Sequence, residues 1–173
     1  ITDVEAASDA IARGESIPID VLRLTHEHGM IHFINTMGTG FVAQVGKLTN
    51  ERFKVLGAAG YVLAVLVCVI RLRYEENTLR YAGMIDDART VLTSFSNSQY
   101  TGGSMRMAPD ALVSDGLLDI VRAGPLGRAA LMAAFPRIFA GTHTDLEQVW
   151  TRQVERVEFV NPTLQAVLID GDL

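Results

Sequence analysis

The 173-residue sequence predicts an α+β domain with a mainly antiparallel, β-sandwich-like core and a few helices. Three observations predict it. Segments of strand character outnumber helical ones. Most of their connections are too short for the crossovers that parallel strands need, so neighbouring strands pair antiparallel. The composition, 49% hydrophobic and 20% charged, belongs to a chain with a packed core and not to a disordered one. The length suits a single domain.

Residues 2–13 are expected to form a helix. Thr2 is its N-cap, Glu5 completes a capping box, Gly14 ends it, and Val4, Ala7, Ala10 and Ile11 share one apolar face. Residues 17–25 read as a strand with Ile17, Ile19 and Val21 on one side. Residues 26–29 (HEHG) form a turn and 30–36 the returning strand, so the pair is a hairpin. A glycine-containing loop with Gly38 and Gly40 follows. Residues 41–74 read as mostly helical, with a break near Thr49-Asn50.

Inside that helical stretch, VLGAAGYVLAVLVCVI (residues 55–70) carries no charge. It is shorter than the ~20 apolar residues of a spanning helix and contains Gly57 and Gly60. It reads as a core helix, although Lys54 before it and Arg71 and Arg73 after it also suit a helix on a membrane surface. Cys68, the single cysteine, excludes an internal disulfide and reads as a packing residue.

Residues 78–85 and 88–96 read as two strands joined at Asp86-Asp87. Residues 97–114 form a long polar loop with Gly102, Gly103 and Pro109. A short strand is expected at 117–122, a helix kinked or ended near Pro136 at 127–140, a long strand at 149–160, and a last strand at 165–169. Asp170-Gly171 is then a strong hairpin-turn signal, yet the sequence stops two residues later. The last strand is therefore expected to lack a partner, and so to fray or to pair with another chain. No internal repeat is visible.

A net charge of −5 and the absence of a basic run argue against a nucleic-acid binder. His26, His28 and His32 are closely spaced, but no cysteine or carboxylate cluster completes a zinc site, and a solvated turn is the simpler reading. Gly38-Thr39-Gly40 could approach a phosphate or be only a strand-to-helix turn. The informative stretch is residues 96–120. A loop that long inside a compact domain is usually functional. It carries Asp110, Asp115 and Asp119. Asp115-Gly116 is either a plain turn or a site for a hard cation such as Mg²⁺, whose ligands are oxygens.

With these pieces in order, the sequence resembles the C-terminal domain of the diacylglycerol-kinase-like lipid kinases, the bacterial family that includes relatives of sphingosine kinase. EAASDAIARGESIPIDVLRL, FINTMGTGFVAQV, FSNSQYTGGSMRMAPDALVSDGLLDIV, GTH and IDGD follow the family's order, and the third block is the specific one. The resemblance covers essentially the whole chain. It implies transfer of the γ-phosphoryl group of ATP to a lipid hydroxyl, diacylglycerol-like or sphingoid. It implies an ATP site mainly in an N-terminal domain with a GGDGT motif, which residues 1–173 do not contain, so the chain reads as a domain cut at both ends. It implies a structural Mg²⁺ on Asp115 with the carbonyls of Leu112 and Leu117.

The family's closing DGE carries its catalytic base. The matching position is Asp172, one methylene shorter, with Asp170 expected to orient the base or a metal. Asn35, Gly38 and Gly40 fall in the block expected to meet the substrate. A cytoplasmic protein peripherally associated with the membrane follows from the same resemblance, and a homodimer is compatible with it. A nucleotide kinase of the NAD-kinase type and a non-catalytic lipid-binding or dimerisation module are the competing functions.

Overall fold

The computed structural model describes residues 3–102, 104–160 and 166–171. Helix α1 (Val4–Arg13) begins at Asp3, whose carboxylate accepts the Ala6 N–H at 2.9 Å, so Asp3 and not Thr2 is its cap. Gly14 ends it in the left-handed conformation, as expected. Its apolar face is not buried: Val4 and Ile11 are exposed. The first strand starts later than expected. β1 (Leu22–His26) pairs antiparallel with β2 (Gly29–Phe33), and Ile17, Ile19 and Val21 lie exposed ahead of it. His26, His28 and His32 are all exposed, in keeping with a solvated turn.

The expected glycine loop is instead a strand, β3 (Thr36–Gly40), buried along its whole length. It runs directly into α2 (Phe41–Leu48). The helical break falls where expected, as a π-turn at Thr49–Phe53 and a 3-10 turn at Lys54–Leu56, and α3 (Gly57–Ile70) follows. α3 packs into the core along one side only. Ala64, Val65, Cys68 and Val69 are buried, while Val62, Leu63, Leu66 and Ile70 are exposed. Among the described residues no helix is long and apolar enough to cross a membrane.

The next hairpin turns four residues earlier than the sequence suggested. β4 (Glu75–Tyr81) and β5 (Met84–Thr90) join through Ala82-Gly83, both at positive φ, and Asp86-Asp87 sits inside β5. β6 (Leu92–Ser96) and β7 (Leu118–Ala123) flank the long loop. α4 (Arg128–Ala134) and α5 (Arg137–Ala140) are separated at Pro136. The expected long strand is two: β8 (Val149–Val154) and β9 (Glu158–Val160), which belong to different sheets. β10 (Leu168–Ile169) closes the order.

The central sheet runs β10-β3-β6-β7-β8 and is antiparallel throughout; β5-β4-β9 forms the second sheet. Side chains alternate between faces along each strand. On one face Leu92, Val121 and Ala123 pack against Phe41, Val45, Ala64 and Val65 of the helices. On the other, Met37, Phe95 and Ile120 meet Leu79, Tyr81 and Phe159 of the second sheet, with the Phe95 and Phe159 rings edge-to-face at 5.5 Å. That is a sandwich with a helical layer on its outer side. Inside it lies Arg122, fully buried, 3.0 Å from the Asp86 carboxylate and donating to the Asn77 carbonyl at 2.7 Å.

Candidate active site

β10 is short, and its placement depends on α2. Gly46 of that helix faces Leu168; a Cβ there would come within 2.6 Å of a leucine methyl group, so a larger residue would force the Leu168 side chain to move. Asp170 follows with φ of 48°, a left-handed conformation that asparagine and aspartate tolerate better than other side chains. Its carboxylate accepts three successive main-chain N–H groups, Ile34 at 2.9 Å, Asn35 at 3.0 Å and Thr36 at 2.8 Å. Its own N–H donates to the Thr36 carbonyl at 2.9 Å. Both carboxylate oxygens are thus occupied, and Asp170 clamps the turn to the β2–β3 corner. The expected base, Asp172, lies outside the described residues.

The same corner connects to the acidic loop. The Asn97 N–H donates to the Asn35 carbonyl at 2.8 Å, and the Asn97 amide nitrogen donates to the Ile34 and Asp20 carbonyls at 3.0 and 2.9 Å. The Ser98 hydroxyl donates to the Asn35 side chain at 2.6 Å. Asp20 donates its N–H to Val113 at 2.7 Å and accepts the Gly116 N–H at 2.8 Å. Asp115 accepts the Leu117 N–H at 3.0 Å, bracing its own turn. One chain of hydrogen bonds therefore runs from Asp170 through Asn35, Asn97 and Asp20 to the Asp115-Gly116 turn. Asn97, Ser98 and Asp20 are the members that sequence reasoning missed. A buried asparagine with two amide donors is visible in the sequence only as the middle letter of SNS.

The loop holds more negative charge than it neutralises. Burial pushes the Asp119 carboxyl up to about 6; a weak contact from Gln153 opposes this, and the charges of Asp115 and Asp110 add to the rise. No lysine or arginine forms an ion pair with Asp110, Asp115 or Asp119 among the described residues. Nor do three His, Cys, Asp or Glu side chains converge anywhere among the described residues. A cation here would rest on Asp115, main-chain oxygens such as those of Leu112 and Leu117, and water. An all-oxygen set with unbalanced negative charge suits Mg²⁺, which keeps several waters.

Gly38 and Gly40 have packing reasons of their own. A Cβ on Gly38 would press on Val42 at 3.1 Å, and Gly40, at φ 71°, abuts the Val91 carbonyl where β3 turns into α2. Of the three residues expected to meet the substrate, only Asn35 belongs to the polar corner.

An antiparallel sandwich carrying an acidic turn at its sheet edge defines the class of the domain. Residues 35–173 match the YegS C-terminal NAD kinase beta sandwich-like domain, and the chain belongs to that family. A diacylglycerol kinase of Mycobacterium tuberculosis is 33% identical over 170 residues, covering 97% of this chain and 55% of that protein. A Xanthomonas euvesicatoria protein named "Probable lipid kinase YegS-like" is 26% identical over 166 residues, covering 94% and 53%. The solved structure of a diacylglycerol kinase from Bacillus anthracis shares the fold at a TM-score of 0.65 and 17% identity, covering 100% of this chain and 53% of that one. The chain thus spans about half the length of the curated relatives it matches.

Proposed function

We propose that the chain is the lipid-side domain of an ATP-dependent lipid kinase, which moves the γ-phosphoryl group of ATP to a diacylglycerol-like or sphingoid hydroxyl. The observation that carries this reading is the clamp at Asp170. Three main-chain donors fix the turn that leads into Asp172, and catalysis of phosphoryl transfer is mostly positioning. The names of the relatives point the same way.

In this scheme Asp172 accepts the hydroxyl proton as the lipid oxygen bonds to the γ-phosphorus and ADP leaves. Asp170 acts as a positioning residue. ATP is held mainly by an N-terminal domain of the GGDGT type. Asp115, with the carbonyls of Leu112 and Leu117, would hold a Mg²⁺ that braces the acidic loop. The exposed stripe of α3 meets the acyl chain at the membrane surface, giving a cytoplasmic, peripherally bound enzyme. Aspartate at position 172 reaches about 1 Å less than glutamate, and a misplacement of that size can cost roughly 10²-fold in rate.

The test is transfer of label from radiolabelled ATP by the protein expressed from its own gene, over diacylglycerol, sphingosine, phosphatidylglycerol and NAD, with this 173-residue chain alone as a control lane. Labelled lipid is expected, lost in Asp172→Asn and raised in Asp172→Glu. Labelled NAD without lipid would replace the reading by a nucleotide kinase. No label with any acceptor, and none after Asp172→Glu, would leave a non-catalytic binding module.

A further inference from the structure

A cleft of about 490 Å³ opens between α2, the C-terminal end of α3 and the start of β4, with Leu48 and Cys68 shared between its lining and the core. Its size is that of a small-molecule site. Four cations line it from separate stretches of chain: Lys47 on α2, Arg52 in the π-turn, and Arg71 and Arg73 after α3. Only two acids join them, Glu51 and Glu75. This is a local excess of positive charge on a protein whose net charge is −5.

The excess is not neutralised from within. Lys47 lies 3.9 Å from Glu51, an exposed pair worth little. Arg52, Arg71 and Arg73 form no ion pair among the described residues. Three unpaired guanidinium groups around one opening repel each other. Each presents the planar fork of donors that matches a phosphate oxygen pair, which a lysine does not. Glu75, also on the lining, accepts hydrogen bonds from the Gly40 N–H and the Asn77 amide.

We propose that this cleft binds a phosphate-type anion, supplied either by the headgroup of an acidic phospholipid or by a free phosphate compound. The lining of the cleft includes none of the residues of the Asp170 corner, and anion binding there does not depend on the kinase reading. The exposed apolar stripe of α3 ends at Arg71, so a headgroup in the cleft could leave its chains along Leu66 and Ile70.

The experiment has two arms. Pyrophosphate is titrated into the protein by calorimetry, and sedimentation is measured with phosphatidylcholine vesicles with and without phosphatidylglycerol. Saturable binding is expected in at least one arm. Arg71→Gln/Arg73→Gln should weaken it about tenfold or more, Arg52→Gln should weaken it less, and Glu75→Gln should tighten it. Arg13→Gln, an exposed cation on α1, should leave it unchanged. Pyrophosphate binding alone assigns a free phosphate, vesicle binding alone assigns a headgroup, and either supports the site. Absence of saturable binding in both arms overturns it, as does equal weakening by Arg13→Gln. Circular dichroism and melting temperature confirm that each variant is folded.

Discussion

The interior of the sandwich and the Asp170 corner handle charge in opposite ways. Inside the sandwich the buried Arg122 and Asp86 answer each other on the spot. Burial alone would raise Asp86, but the Arg122 guanidinium overrides it and holds the carboxyl below its usual range. The Tyr81 hydroxyl at 3.0 Å and the Trp150 indole N–H at 3.4 Å complete its partners. At the corner Asp170 is met by main-chain N–H groups, and beyond it Asp110, Asp115 and Asp119 have no ion-pair partner among the described residues. The cleft on α2 repeats the pattern with the sign reversed. Charge that serves the fold is matched within the chain. Charge left unmatched is where we propose that a ligand from outside binds.

The largest way to break that comparison is to unbalance the interior. Arg122→Met leaves Asp86 without its cation and should cost about 3–5 kcal/mol in urea denaturation. Adding Asp86→Asn should recover part of the loss, because the stranded charge is gone. A full loss in the double variant would show that packing, and not charge, holds the sheets together.

Next in size is the corner. Asp170→Ala strands three amides and should lower stability by about 2 kcal/mol. Hydrogen exchange should quicken at Ile34, Asn35 and Thr36 and be unchanged at Phe95. Asp170→Asn tolerates the same backbone conformation and should fall between alanine and the parent. Unchanged protection of the three amides in Asp170→Ala would dissolve the clamp.

The smallest effect is a pH dependence inside the helical layer. His143 is buried, its Nε2 3.1 Å from the Met107 carbonyl. Burial lowers its pKa, and the carbonyl contact only partly offsets this. The folded protein therefore resists a proton that the unfolded chain accepts near its ordinary value of about 6.5. Stability should be complete above that pH and should decline as pH falls from there towards the lower folded value. Melting temperatures across this range should show the decline in the parent and a flatter profile in His143→Gln.

The α+β class, the antiparallel pairing, the helical break at Thr49 and the kink at Pro136 were legible because each rests on local pattern. What was not legible depended on partners far away in sequence. Asp86-Asp87 looked like a turn, yet those carboxylates sit in β5 because Arg122 and Thr78 answer them from other strands. The true turn uses Ala82 at φ 48°, which sequence preference does not favour. TMGTG reads as a loop by its glycines, but between β6 and β10 small residues are what the approach of α2 requires. Residues 149–160 contain no glycine or proline, and nothing local says that the strand changes sheets at 155–157. Of the site, Asp115 and Asp170 stood out as acids beside glycines. Asp20 and Asn97 did not, since their partners lie 63 to 96 residues away.

The bonds from Asp170 reach back 134 to 136 residues. A nascent chain leaving the ribosome makes β3 and β6 long before it makes β10. Throughout that interval the outer edge of β3 has no neighbour and the amides of residues 34–36 have no carboxylate. Contacts of such separation are slow to close, and an open strand edge invites pairing with other chains. The corner is therefore the last part of the central sheet to be finished, since its clamp cannot close before β10 and Asp170 have been made.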